Sequence, residues 1–305
     1  MRLVDRYVRT VIRRHDWGAE DALALRARRH FGAPRALQRL ARARLHHRVV
    51  TNRQVRGEWL SVPDPGPGVL LYVHGGGYVA CSAATHRPLT AHLARLLRCR
   101  VFSTDYRTAP EARFPAAFED VLATYKWLCT DGARGQPIAV AGESAGGGLV
   151  VALAQHARDA GWPAPACLVA LSPWTDLAGT GLSIHENNGR CAMFGHGNIA
   201  AFAAVYLAGA AADDPRASPL YGDTAQLPPV LLQVGSTELL LDDARRVHER
   251  IVARGGTCRL TVYDDVVHGW QLLVPFVPEA TVALAEVASF VRPHLTMVPV
   301  GRRAC

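Results

Sequence analysis

PIAVAGESAGGGLVVALAQHARDAG, residues 137–161, changes character at its serine. PIAVAGE (137–143) is a short apolar run of the kind a strand buried on both faces needs. AGGGLVVALAQHARDAG (145–161) carries apolar residues at helical spacing and closes on Gly161. Ser144 stands at the junction with Gly142 and Gly146 two positions to either side, which is G-x-S-x-G. A serine on so tight a strand-to-helix turn presents its hydroxyl. The glycines remove Cβ atoms that would collide with the flanking strand and helix. The helix start aims N–H groups and the positive dipole end at the same spot. A phosphate cradle is the competing reading of AGESAGGG (141–148). That stretch lacks the Lys-Ser/Thr of a P-loop and does not fit G-x-G-x-x-G.

The same strand-then-helix rhythm extends in both directions. VLLYVHG (69–75), RVFSTDYR (100–107), CLVALSPW (167–174), PPVLLQVGS (228–236) and CRLTVYDD (258–265) read as strands. HRPLTAHLARLLR (86–98), PAAFEDVLATYKWLC (115–129), LLLDDARRVHERIVARGG (239–256) and PEATVALAEVASFVRPHL (278–295) read as helices. Such alternation predicts an α/β fold with a mostly parallel sheet and helices on both faces. VVTNRQVRGEWLSV (49–62) alternates enough to be an added strand pair, and residues 3–48 hold two or three short helices. Residues 176–227 are too long for a simple crossover and predict an insertion over the active face, with a helix near 197–209.

Composition narrows the class. The 305 residues are 49% apolar and 20% charged, which excludes a disordered, coiled-coil or collagen-like chain. The net charge of +8 is uneven: residues 1–56 hold 15 Arg against four acids, a net +11, and the remainder carries −3. A basic arm for nucleic acid is one reading of that block, and an arginine-decorated surface segment is the other. No nucleic-acid fold signature accompanies it, so no nucleic-acid partner is expected. The seven cysteines are scattered, odd in number and form no CxxC pair, which argues against a disulfide framework or zinc site. The N-terminal stretch lacks a signal-peptide h-region, and no uncharged apolar run reaches the ~18 residues of a membrane span. A soluble cytoplasmic protein is expected, without metal or cofactor.

In a parallel sheet, ligands bind beyond the C-terminal strand ends. HGGGY (74–78) sits at one such end, and its consecutive glycines leave backbone N–H groups uncovered. Donors of this kind stabilise a developing oxyanion, each by roughly 3–4 kcal/mol when well placed. Gly75, Gly76 and Ala145 are the expected donors, and His74 reads as scaffold.

HGGGY (74–78), DYRTAPEARFPAAFED (105–120), GESAG (142–146), SPWTDL (172–177), DPRASPL (214–220), GSTELLLDD (235–243) and VHGW (267–270) follow one another in one order. In these motifs the chain resembles the hormone-sensitive-lipase-like branch of the α/β-hydrolases, the bacterial family IV esterases, from about Val69 to Trp270. The resemblance implies an α/β-hydrolase fold with a triad in the order Ser, acid, His. Among the late histidines His248, His268 and His294, only His268 follows a strand by a short loop, and its VHGW setting resembles the family's base. The family's acid is usually the first Asp of D-x-L-x-D; here Glu238 occupies that slot, with Asp242 and Asp243 as rivals. Glu143 and the Asp105-Tyr106-Arg107 and Glu111 motif read as braces behind the oxyanion loop. Residues 1–48 and 183–212 would together form a helical cap, with Trp17, Phe31, Met193, Phe194, Phe202 and Tyr206 as candidate pocket walls.

The implied activity is a serine carboxylesterase acting on short- to medium-chain acyl esters of small molecules, in a chain able to form a homodimer. An amide or N-acetyl deacylase would use the same constellation. A non-catalytic binding protein on this fold would be expected to have lost a triad member, and none is missing.

Overall fold

The computed structural model describes residues 1–13 and 20–296, so Trp17 lies outside the described residues. Its strands are His46–Thr51 (β1), Arg56–Ser61 (β2), Val69–Val73 (β3), Arg100–Thr104 (β4), Ile138–Glu143 (β5), Leu168–Leu171 (β6), Val230–Gly235 (β7) and Cys258–Tyr263 (β8). They form one sheet in the order β1-β2-β4-β3-β5-β6-β7-β8. From β4 to β8 every neighbouring pair is parallel, and β2 runs antiparallel to both β1 and β4. Every residue of β3, β5, β6 and β7 is buried, which is why those segments read as unbroken apolar runs.

The helices are Arg2–Tyr7 (α1), Glu20–His30 (α2), Arg35–Ala41 (α3), Ala83–Leu97 (α4), Ala116–Trp127 (α5), Ala145–Asp159 (α6), the single turn Ser183–Glu186 (α7), His196–Leu207 (α8), Leu241–Ala253 (α9) and Pro278–Thr296 (α10). The expected doubly wound α/β architecture is present, with the expected strand pair at its N-terminal edge. Among the boundaries that differ from expectation, two have clear local reasons. β1 begins at His46, because an edge strand tolerates the polar His46, His47 and Arg48. α4 begins at Ala83, three residues early. Ser82 Oγ accepts from Thr85 N–H while Ser82 N–H donates to Thr85 Oγ1 at 2.9 Å. Thr in place of the usual Glu or Gln hid this capping box.

Residues 176–227 leave the sheet between β6 and β7 and carry α7 and α8. The N-terminal segment packs on them. Arg9 and Arg13 donate to the Gly189 carbonyl, each at 2.9 Å, and Arg13 also to the Cys191 carbonyl at 2.8 Å. Arg28 on α2 donates to the Val79 and Ala109 carbonyls and pairs with Glu111. Among the described residues, no helix is long and apolar enough to cross a membrane.

Candidate active site

Ser144 sits between β5 and α6 with φ 55° and ψ −121°, a conformation that few L residues adopt. The fold holds it there. Its N–H donates to the Leu171 carbonyl at 2.9 Å, and its carbonyl accepts from Trp174 N–H at 2.9 Å. A Cβ on Gly146 would lie 2.1 Å from the Val73 carbonyl oxygen, and one on Gly142 would lie 2.5 Å from that of Gly146. Both positions therefore require glycine.

His268 follows β8 by a short loop and reaches back across the strand ends. Its Nε2 is 3.0 Å from Ser144 Oγ, and its Nδ1 is 2.5 Å from Glu238 Oε2. Glu238 lies in the turn after β7 and is 1% exposed. Its other oxygen accepts from Ser172 Oγ at 2.7 Å and Gly235 N–H at 2.6 Å. An ionised Glu238 only accepts, so Nδ1 carries the proton and Nε2 is left to accept from the serine hydroxyl.

The rival acids are engaged elsewhere. Asp242 accepts from Ser183 N–H at 2.9 Å and lies near Arg245. Asp243 accepts from Thr175 and Asp176 N–H at 2.7 and 2.8 Å. Burial, reinforced by the Asp176 charge, pushes the Asp243 carboxyl up to about 8. His248 lies on α9 and His294 on α10, where its ring packs against Phe290.

Gly75 is a correction to the expected oxyanion donors. Its N–H donates to Glu143 Oε1 at 2.6 Å and is not free for a substrate. Gly76 and Gly77, by contrast, have N–H groups without a protein acceptor among the described residues. Ala145 opens α6, where no intrahelical acceptor exists for its N–H. Uncovered N–H groups thus include those of Gly76, Gly77 and Ala145.

Glu143 is the brace. Besides Gly75 it accepts from Tyr72 Oη at 2.7 Å and meets His86 Nε2 at 2.8 Å. Burial would raise this carboxyl, but His86 and then Tyr72 outweigh it and hold it below its ordinary value. His74 is scaffold, as its sequence position suggested. Burial, then the His86 charge, lowers it to about 4, so it is neutral near pH 7. Its Nδ1 lies 2.8 Å from the Gly75 carbonyl, and its ring stacks on Tyr106 at 4.2 Å.

Of the candidate pocket walls, Phe194 reaches His268. Tyr206 stacks on Tyr78 at 3.9 Å and is fully buried, so it belongs to the core under the 74–78 loop. Sequence reasoning missed Ser172 and Gly77, although both lie inside motifs it had singled out. Among the described residues, no group of three or more His, Cys, Asp or Glu side chains converges as a metal site would require.

A hydroxyl on a strained strand-to-helix turn, an imidazole and a buried carboxylate, strung together at the C-terminal edge of a parallel sheet, define a serine hydrolase. Comparison with known proteins narrows the class. Residues 70–272 match the family model described as alpha/beta hydrolase fold. An acetyl-hydrolase of Streptomyces hygroscopicus is 38% identical over 244 residues, covering 80% of this chain and 82% of the relative. An esterase of Acinetobacter venetianus is 32% identical over 237 residues, covering 77% and 78%. Among solved structures, EstE5 soaked with p-nitrophenyl butyrate superposes with a TM-score of 0.87 at 34% identity, covering 97% of this chain and 98% of that one. An esterase from the bacterial hormone-sensitive lipase family gives 0.81 at 39% identity, covering 90% and 98%. The chain belongs to the hormone-sensitive-lipase-like esterase branch of the alpha/beta hydrolases.

Proposed function

We propose that this protein hydrolyses short- to medium-chain acyl esters through Ser144, His268 and Glu238. The observation that carries the reading is the unbroken chain from Glu238 Oε2 through His268 to Ser144 Oγ. Ser144 Oγ attacks the ester carbonyl as its proton passes to His268 Nε2. Glu238 stabilises the imidazolium so formed. Gly76, Gly77 and Ala145 N–H groups receive the oxyanion, with no reorganisation needed at that moment. His268 then gives the proton to the leaving alcohol. A water activated by the same imidazole splits the acyl-enzyme and frees the acid.

Similarity to an acetyl-hydrolase supports small acyl groups for this chain. Residues 1–48 and 183–212 act as the cap, supported by the ring contacts of Phe31 with Phe194 and Phe202. Family membership also supports a homodimer, which light scattering at micromolar concentration would measure. Cys81, Cys99, Cys167, Cys191 and Cys258 are free thiols, as suits a cytoplasmic enzyme.

The test is a p-nitrophenyl series from acetate to decanoate with wild type and Ser144→Ala. Rates should peak at the short end and fall at least about a thousandfold in the variant. Equal rates in the two proteins would end the assignment. An acetyl-hydrolase name leaves the bond type open, so an amide deacylase is the second reading. Competition between phenyl acetate and acetanilide decides between them.

A further inference from the structure

Aromatic side chains from three separate segments meet beside the imidazole. Phe194 stands edge-on to His268 with ring centroids 5.3 Å apart. Phe31, just past α2, lies 6.2 Å from Phe194 and 6.0 Å from Phe202. Phe202, on α8, reaches the oxyanion loop: a Cβ on Gly77 would lie 2.5 Å from its ring. Phe202 is buried, whereas Phe31 and Phe194 are partly exposed. Phe194 thus stands beside His268 and Phe202 beside Gly77, with Phe31 in ring contact with both.

Reaction chemistry dictates what must lie beside His268. His268 Nε2 returns its proton to the leaving-group oxygen, so that oxygen has to sit beside the imidazole. Whatever the oxygen carries then lies against the surface next to His268, which here is Phe194. With the carbonyl oxygen turned toward Gly76, Gly77 and Ala145, the acyl chain leaves in another direction. We infer that Phe31, Phe194 and Phe202 form the alcohol-side subsite, and that they select esters whose alcohol bears a flat apolar group such as a benzyl ring. The inference rests on ester hydrolysis at Ser144.

Phe194 owes its position to ties outside any helix. Its loop is fastened on one side to the N-terminal segment, where Arg9 and Arg13 donate to the carbonyls of residues 189–191. On the other side Asn187 Nδ2 donates to the Glu238 carbonyl at 2.8 Å. The turn that holds the acid thus also holds the loop that places the ring. Ring-on-ring contacts reward flat groups beyond simple area burial, so an aromatic alcohol gains where an ethyl group does not.

The experiment compares kcat/KM for benzyl acetate, ethyl acetate and benzyl butyrate in wild type, Phe194→Leu and Phe194→Ala. The benzyl-to-ethyl ratio should fall about five- to tenfold in Phe194→Ala and less in Phe194→Leu, while the butyrate-to-acetate ratio stays within about twofold. Ratios are insensitive to partial loss of folded protein, and fluorophosphonate labelling of Ser144 counts the competent sites. A shift in the butyrate-to-acetate ratio alone would assign the wall to the acyl side and overturn the inference. Equal loss on all three esters would reduce Phe194 to a support for His268 and overturn it too. Hydrolysis that persists in Ser144→Ala would defeat the esterase reading itself, a result distinct from either.

Discussion

Glu238 reaches farther than an aspartate by one methylene, and the structure uses that length on both sides. One oxygen meets His268 while the other takes Ser172 Oγ and Gly235 N–H. A glutamine there would have to turn its NH2 toward one of those donors. We expect Glu238→Gln to lower kcat by about 10³–10⁴-fold, because the imidazole loses both its tautomer control and its counter-charge. Single-turnover kinetics check this, with thermal melting to confirm that the fold persists; a loss below tenfold would point to another acid. Ser144 was legible in the sequence because its glycines are chain neighbours, and His268 because it follows the last strand. Of the glycine N–H groups proposed for the oxyanion, Gly76 was named from the sequence and Gly77 was not. Which of three consecutive glycine N–H groups is already taken depends on Glu143, 68 residues away. Ser172 was invisible for the same reason: only the fold brings it to Glu238.

At the scale of elements, α9 begins with two adjacent acids that play different parts. Asp242 caps α7 through Ser183 N–H, and Asp243 faces inward to the turn after β6. With its carboxyl pushed up to about 8, Asp243 keeps its proton in the folded protein where the unfolded chain has lost it. Between about pH 4 and 8 the folded state therefore binds more protons, and stability from this group falls as pH rises. Melting temperatures of wild type should decline from pH 5 to 8 more steeply than those of Asp243→Asn. Parallel profiles would show that Asp243 is ionised throughout. The buried strands and long helices could be read from periodicity, since burial on both faces leaves an apolar run. The start of the edge strand β1 and the start of α4 could not. One is polar because it is exposed, and the other is set by a Ser-Thr cap and by Asp105, whose side chain accepts Ala83 N–H from a later strand end.

For the whole molecule, the excess positive charge lies in residues 1–56, and the structure gives part of it a use. Arg9 and Arg13 fasten the N-terminal segment to the insertion, and Arg28 joins α2 to Glu111 and to the Val79 and Ala109 carbonyls. These arginines tie the N-terminal segment to the rest of the chain, so neutralising Arg28 would disturb packing as well as charge. The sheet presents Ser144, Glu238 and His268 at the ends of three different strands, and Phe194 of the insertion, in ring contact with Phe31, stands against His268. In this arrangement acyl groups pass through Ser144. The direct measurement is mass spectrometry of protein quenched within milliseconds of mixing with p-nitrophenyl acetate. The account predicts a single acetyl group on the peptide containing Ser144, formed with a burst of p-nitrophenol and absent from Ser144→Ala. Steady hydrolysis by Ser144→Ala at the wild-type rate, or an acetyl group on any other residue of the turning-over enzyme, would contradict it.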